Sequence, residues 1–200
     1  MKRQIVAYGI WALGLSFTIS SDTAQAQVGS FVHVVKQGET LASIAQRFYG
    51  DALFEKVLVT ENGLSGYDGV SIAPGMRIVI PYSAYYRVAR GDSWNKLGEQ
   101  FYGAAERGSI LPLVNGLSKD NPPEQNAQIL IPYAVRHIAD QRDDLASICE
   151  AYFGSTENVG LLRKFNRLSR NRLKKSQLIL VPIPKLLLSD QGRKIIEELT

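Results

Sequence analysis

Reactive side chains are few in this chain of 200 residues, which contains one cysteine and two histidines. Cys149 has no second cysteine to pair with, so an intramolecular disulfide is excluded. It occupies a small apolar position of a predicted helix, which favours packing over nucleophilic catalysis. His33 and His137 hold equivalent positions in two repeated segments, and a metal site would require those segments to face each other. We expect both histidines to be strand side chains.

Carboxylates provide the other candidate chemical groups. Asp143 and Asp144 are adjacent at a predicted helix start, where interaction with the helix dipole explains them without catalysis. Glu39 and Asp92 are predicted to lie on turns, and no second carboxylate for glycoside cleavage can be identified for either. The sequence shows no Ser-His-acid set, no nucleophile elbow and no zinc-type cluster. It therefore predicts that the protein is not an enzyme and uses no cofactor.

The elements that carry these groups are repeated along the chain. The stretch VKQGETLASIAQRFYG (35–50) returns as VARGDSWNKLGEQFYG (88–103) and, more diverged, as ADQRDDLASICEAYFG (139–154). Apolar residues recur at i, i+3, i+4 and i+7 in each copy, which predicts a short amphipathic helix. Thr40, Ser93 and Asp144 immediately precede the three stripes and are suitable N-caps. Each copy is therefore typical of a strand, a tight turn and a capped helix.

The repetition continues beyond this helix. Asn62, Asn115 and Asn166 each follow the last glycine of a copy by twelve residues, in the words NGLS, NGLS and NRLS. Apolar pairs before them predict a second helix, and a β-branched run closed by proline follows. A period of about fifty residues indicates a repeat architecture. The predicted fold class is α+β: three tandem β-α-α-β modules at 31–82, 85–133 and 135–184, each with two helices packed on a two-stranded antiparallel sheet.

This pattern resembles the LysM (lysin motif) family of small carbohydrate-binding modules. The first copy carries HVVKQGETLASIA from His33, then Asn62, then IAPGMRIVIP at 72–81. The second copy matches nearly as well. The third departs from the pattern because Arg142 and Arg167 replace two glycines. The resemblance extends over about 31–184.

The resemblance implies a groove for N-acetylglucosamine units between the turn that opens the first helix and the loop after the second. Small turns let backbone groups approach a sugar closely. The alternative is that these turns only shape the module, and Trp94 is either a sugar-stacking ring or a core residue. The implied glycan-binding residues are Gly38, Glu39, Thr40 and Leu41 facing Asn62, Gly63 and Leu64 in module one, and Gly91, Asp92, Ser93 and Trp94 facing Asn115, Gly116 and Leu117 in module two.

The third module has a different charge from the others, with nine basic residues against five acidic ones in a chain of net charge +4. Arg142 and Arg167 are expected on opposite lips of its groove, where they would fill the groove, repel each other or hold an anion. Asp144 is the internal group that could instead neutralise one of them. We expect this module to bind an acidic partner, which is a protein rather than a sugar. We do not expect it to bind nucleic acid.

The two ends of the chain lie outside the repeats. Residues 1–26 combine Lys2 and Arg3, an apolar run and Ala24-Gln25-Ala26, which predicts a cleaved signal peptide and export. The apolar run is short for a membrane span, so no stable span is expected after cleavage. The tail 185–200 predicts a final helix capped near Ser189, folded back on module three or docked on a partner. Short linkers containing Tyr82, Tyr85 and Tyr133 predict that the modules pack together with these rings in the seams.

Together these features predict a non-catalytic, peptidoglycan-binding protein of the bacterial envelope, located in the periplasm or on the cell wall. The alternative is a structural component of an envelope-spanning complex. In that case the modules serve as protein–protein surfaces, and module three and the tail contact an envelope protein.

Overall fold

A computed structural model of the chain describes residues 29–64 and 72–198. Its described part contains mixed helix and strand, with three two-stranded antiparallel sheets, which is consistent with the predicted α+β class. The first sheet and its helices form unit one (29–82). Its elements are β1 (Gly29–Val34), α1 (Leu41–Tyr49), a 3-10 turn (Ala52–Phe54), α2 (Glu55–Glu61) and β2 (Arg77–Tyr82). The predicted signal peptide lies outside the described residues.

Two further segments repeat this order of elements. Unit two (84–131) comprises β3 (Ala84–Arg87), α3 (Trp94–Tyr102), a 3-10 turn (Ala105–Ser109), α4 (Ile110–Val114) and β4 (Gln128–Ile131). Unit three (133–183) comprises β5 (Tyr133–Ile138), α5 (Leu145–Phe153), α6 (Val159–Phe165) and β6 (Leu178–Ile183). In each unit the first strand pairs with the last, as β1 with β2, β3 with β4 and β5 with β6. A final helix, α7 (Asp190–Glu197), follows unit three.

The first helix of each unit begins where its sequence predicts. The side chains of Thr40, Ser93 and Asp144 accept bonds from backbone amides three residues on, which satisfies donors that a helix start leaves free. Each helix ends at a glycine in the left-handed region, for example Gly50 at φ 78°. The caps fix where each helix starts, and therefore fix the turn that precedes it.

The hydrophobic core joins units that are distant in sequence. Buried residues of units one and three, such as Ile44 and Ile148, belong to one continuous cluster that also contains Cys149. The Cys149 thiol is buried, and burial raises its pKa to about 11. Unit two has its own cluster, completed by Phe165 from α6. Because small modules bury little apolar surface alone, this sharing supplies core that each unit lacks.

Polar contacts fix the seams between the units. The Ser83 hydroxyl donates to the Ile183 carbonyl at 2.9 Å and accepts from the Tyr133 amide at 2.9 Å. The Tyr133 hydroxyl donates to Glu61 at 2.8 Å, so this tyrosine lies in a seam as predicted. The prediction is wrong for Tyr85, whose side chain is exposed because it is on the outer face of β3.

The tail docks on unit one, which corrects the prediction that it would fold back on module three. The Ser189 hydroxyl donates to the Arg47 carbonyl at 2.6 Å, and the Ser189 amide donates to the Phe48 carbonyl at 2.7 Å. A Cβ on Gly192 would lie 2.6 Å from the Phe48 carbonyl oxygen, so α7 approaches the end of α1 more closely than a larger residue would allow. This contact depends on two surfaces far apart in sequence. Within 29–64 and 72–198, no helix has the length and apolar character needed to cross a membrane.

Candidate functional site

Each turn before a first helix is held by a carboxylate of its own. Glu39, Asp92 and Asp143 accept from the backbone amide three residues earlier, at 2.8 Å in all three units. Each carboxylate also contacts the first strand through the side chain six residues earlier. The pairs are His33 Nε2 with Glu39 Oε2 at 2.7 Å, Tyr86 donating to Asp92 Oδ2 at 2.9 Å, and His137 Nε2 with Asp143 Oδ2 at 3.0 Å. The acid therefore joins the turn to the strand in every unit.

In unit one this contact becomes a buried charged network. Arg47 Nη1 lies 2.5 Å from Glu39 Oε1, and the Glu39 side chain is only 7% exposed. Burial disfavours the ionised carboxylate, but the Lys36 amide, His33 and Arg47 outweigh burial and lower the pKa of Glu39 to about 2. The Glu39 carboxylate is thus charged and already bonded within the protein, although its backbone remains part of the turn.

The repeated asparagines hold the second helix to the last strand. The Asn115 side-chain amide donates to the Leu111 and Leu130 carbonyls at 2.8 and 2.9 Å, and its oxygen accepts from the Leu130 amide at 2.7 Å. Asn62 and Asn166 make the same three contacts in units one and three. The Asn side chain bonds the free edge of the strand in the way a neighbouring strand would. The side-chain amides of these three asparagines therefore serve the fold.

The remaining predicted positions differ in accessibility. Gly38 and Gly91 have φ of 80° and 82°, and Gly63 and Gly116 have φ of 62° and 64°, a backbone region that favours glycine. Leu41 is 2% exposed and belongs to the core. Thr40 and Ser93 are occupied as helix caps.

Unit two contains an open groove of about 370 Å³ beside the start of α3. Trp94 lines it but is 8% exposed and packs in the core, and its indole Nε1 donates to the Asn121 carbonyl at 2.7 Å. This bond ties the start of α3 to the loop after α4. The lining residues are Ser93, Trp94, Asn95, Ser109, Pro112, Lys119, Asp120, Asn121 and Pro122.

The groove differs in part from the residues predicted for it. Ser93 and Trp94 line it, whereas Gly91, Asp92, Asn115 and Gly116 are not among its lining residues and Leu117 lines an adjoining groove. Sequence reasoning missed residues 119–122, which form the opposite wall because the loop after α4 turns back over α3. The prolines at 122 and 123, which predict an irregular loop, are the signal that marks this wall.

In unit three the corresponding edges are joined by backbone. Asp144 and Arg172 form an isolated antiparallel bridge, and the Leu145 amide donates to the Asn171 carbonyl at 3.1 Å. In unit two a link between the start of the first helix and the loop after the second is made by the Trp94 side chain. The two edges of unit three are therefore joined by main-chain bonds. In unit one, the comparable loop includes residues outside the described part.

The two arginines of unit three are both exposed at the surface. Arg142 is 92% exposed and lies 3.9 Å from Asp140, a distance and exposure at which an ion pair is weak. Arg167 has φ 56°, the left-handed conformation that glycine adopts at this place in the other units. Asp144 does not neutralise either arginine, because its carboxylate accepts from the Ser147 amide at 2.8 Å as a helix cap.

Residues 33–81 match the family model of the LysM domain, and this span lies within unit one. The match is to one domain and does not extend to units two and three. It supports the glycan-binding part of the functional prediction.

Two relatives from Mycobacterium tuberculosis, Esterase MT1326 and Esterase Rv1288, are each 28% identical over 134 residues. The match covers 67% of this chain and 29% of each esterase, so the chain spans less than a third of the relatives' length. Among solved structures, the Bacillus megaterium QM B1551 spore cortex-lytic enzyme SleL is 30% identical, covering 54% of this chain and 22% of SleL with a TM-score of 0.22.

These relatives contradict the prediction that the protein is not an enzyme. That prediction was drawn from the missing catalytic motifs, whereas the matched relatives are themselves named as esterases. The absence of known catalytic motifs therefore does not exclude enzymatic activity.

Proposed function

We propose that this protein binds the N-acetylglucosamine-containing glycan of peptidoglycan through tandem LysM-like units. The observation that carries the proposal is the LysM match at 33–81, and an open groove beside the start of α3 in unit two supports it. The repeated element order and the repeated acid and asparagine contacts support treating all three units as LysM-like modules, with the third diverged.

In this proposal the groove of unit two recognises sugar mainly through backbone groups. Pro112 provides an apolar floor, and Gly91, two residues before the lining residue Ser93, gives a turn without a side chain. The Trp94–Asn121 bond keeps the two walls at a fixed separation, so little ordering is needed on binding. The corresponding contacts in unit one come from Gly38, Thr40, Gly63 and Leu64.

Unit three has a different role in the proposal. Its turn and loop are joined by the Asp144–Arg172 bridge, while Arg142 and Arg167 present two exposed cations. These cations suit a carboxylate-bearing protein partner in the envelope. The second candidate function is a structural component of an envelope complex. The exposed arginines of unit three are the observation that favours it.

The proposed location is outside the cytoplasm, on or near the cell wall, because peptidoglycan lies there. The signal-peptide pattern in residues 1–26 supports export. A glycan-binding chain of this kind can also deliver catalysis to the wall, and the esterase relatives make ester hydrolysis the reaction to assay.

Co-sedimentation of the full chain with purified peptidoglycan sacculi tests the binding proposal. We expect the wild-type protein to pellet with sacculi at low and moderate salt. Asn95→Ala should weaken binding because this exposed side chain lines the groove, whereas Glu99→Gln, one turn further along α3, is the matched control and should bind normally. A wild-type protein that stays in the supernatant would refute the proposal. Hydrolysis of a chromogenic acyl ester, measured on the same samples, reports the activity separately.

A further inference from the structure

A second concave surface adjoins the groove of unit two. It has a volume of about 260 Å³ and shares Ser109, Pro112 and Lys119 with that groove. Its other lining residues come from α4, from the segment after α4, and from α6 of unit three. The two surfaces thus form one channel that leads from the proposed sugar site across the seam between units two and three.

The floor of this second surface is apolar. Leu113 and Leu117 are 62% and 46% exposed, and the half-buried Leu161 lies beside them in the same concave lining. Single exposed leucines need no explanation, but leucines gathered in one concavity next to a binding groove mark a contact surface. A neutral, hydrated sugar leaves such a floor poorly matched, whereas short alkyl side chains fit it.

The rim carries positive charge. Lys119 and Lys164 are its charged lining residues, and no carboxylate lines it. Asp120 lies in the adjoining groove, 3.9 Å from Lys119, but both side chains are about 80% exposed and the pair is weak. The two ammonium groups are therefore available for charge-assisted hydrogen bonds to a ligand carboxylate.

The seam beneath the surface is firmly fixed. Arg107 Nε donates to the Phe165 carbonyl at 3.1 Å, and its guanidinium lies 5.8 Å from the centre of the Phe165 ring. The Tyr102 and Phe165 rings meet edge to face at 5.1 Å. Because α6 is held against unit two in this way, the apolar floor exists before any ligand arrives.

We infer that this channel binds a saccharide carrying a carboxylate-bearing peptide, the sugar in the groove of unit two and the peptide over Leu113, Leu117 and Leu161. The inference rests on the proposed glycan binding and narrows it to the peptide-substituted form of the wall glycan. The carboxylates of the peptide lie between Lys119 and Lys164. A wall phosphate offers charge of the same sign but no alkyl groups for the apolar floor.

Methyl-resolved NMR titration of the full chain tests this inference at the site itself. The probes are chitotetraose, a disaccharide-tetrapeptide from digested peptidoglycan, and the same disaccharide-tetrapeptide with its carboxylates amidated. We expect the acidic tetrapeptide ligand to shift the Leu113 and Leu117 methyls and to bind about five- to tenfold tighter than the amidated one. Chitotetraose should shift the resonances of groove residues around Trp94 without shifting the resonances of these leucine methyls.

Charge variants separate the effect of Lys164 from general electrostatics. The variant Lys164→Gln, at a lysine that lines the second surface but not the groove, should reduce the preference for the acidic ligand and leave chitotetraose binding unchanged. Lys175→Gln, an exposed lysine of unit three away from the channel, is the matched control and should keep the preference. If chitotetraose binds but the acidic and amidated ligands bind equally, the inference is overturned while the proposed function stands. If none of the three ligands binds to any unit of the chain, both are overturned.

Discussion

Replacing Asn115 by alanine measures how far the repeated asparagines serve the fold rather than the ligand. The substitution removes three hydrogen bonds, to the Leu111 carbonyl and to both backbone groups of Leu130. At about 0.5–1.5 kcal/mol for each bond, and with the edge of β4 left without its partner, the expected loss is about 2–4 kcal/mol of unfolding free energy. Urea unfolding followed by far-ultraviolet circular dichroism measures it.

Asn95→Ala is the matched control for Asn115→Ala. Asn95 is an exposed asparagine of α3 in the same unit, and its removal should change the unfolding free energy by less than about 0.5 kcal/mol. The glycan affinity should respond in the opposite order, with Asn95→Ala weakening it directly. An Asn115→Ala protein of normal stability that no longer binds glycan would refute the structural role and make this side chain a ligand contact.

Two further predictions concern packing and pH. A Cβ at Gly98 would meet the Gly108 amide and lie 2.6 Å from the Ala105 carbonyl oxygen, so Gly98→Ala should cost about 3 kcal/mol or more in thermal or urea unfolding. Gly160→Ala is its control, because nothing lies within 4 Å there and the helix should be unharmed; equal stability of both variants would disprove the close packing. Folding lowers the pKa of Glu39 from 4.5 to about 2, so its stabilisation is complete above about pH 4.5 and is lost as the pH falls towards 2. Glu39→Gln should make the urea midpoint less dependent on pH over that range. A pH dependence equal to that of the wild-type protein would contradict the charged network.

The capped helices were predictable because their signals are local. Thr40, Ser93 and Asp144 bond to amides only three residues away, and the glycines that end the helices need nothing beyond their own backbone freedom. The strand pairing in each unit follows from the same repeat, since two strands and two short helices offer few alternatives.

The candidate site was predictable only in part. The turn before α3 lies where the sequence indicates, but its opposite wall comes from residues 119–122 rather than from Asn115 and Gly116. Nothing local to Asn115 shows that its amide will meet Leu130 fifteen residues later, because that contact depends on how α4 lies against β4. The prediction that the protein is not an enzyme was wrong for a related reason. It was drawn from the absence of known catalytic motifs, and such an absence does not exclude activity.

The sequence by itself determined the repeat, the helix starts and ends, and the turns that open each unit, because these depend on hydrogen bonds and φ preferences within a few residues. Only the tertiary structure decided that units one and three share a core, that α7 docks on α1, and that unit three joins its turn to its loop through Asp144 and Arg172. Those outcomes depend on the shape and polarity of surfaces distant along the chain.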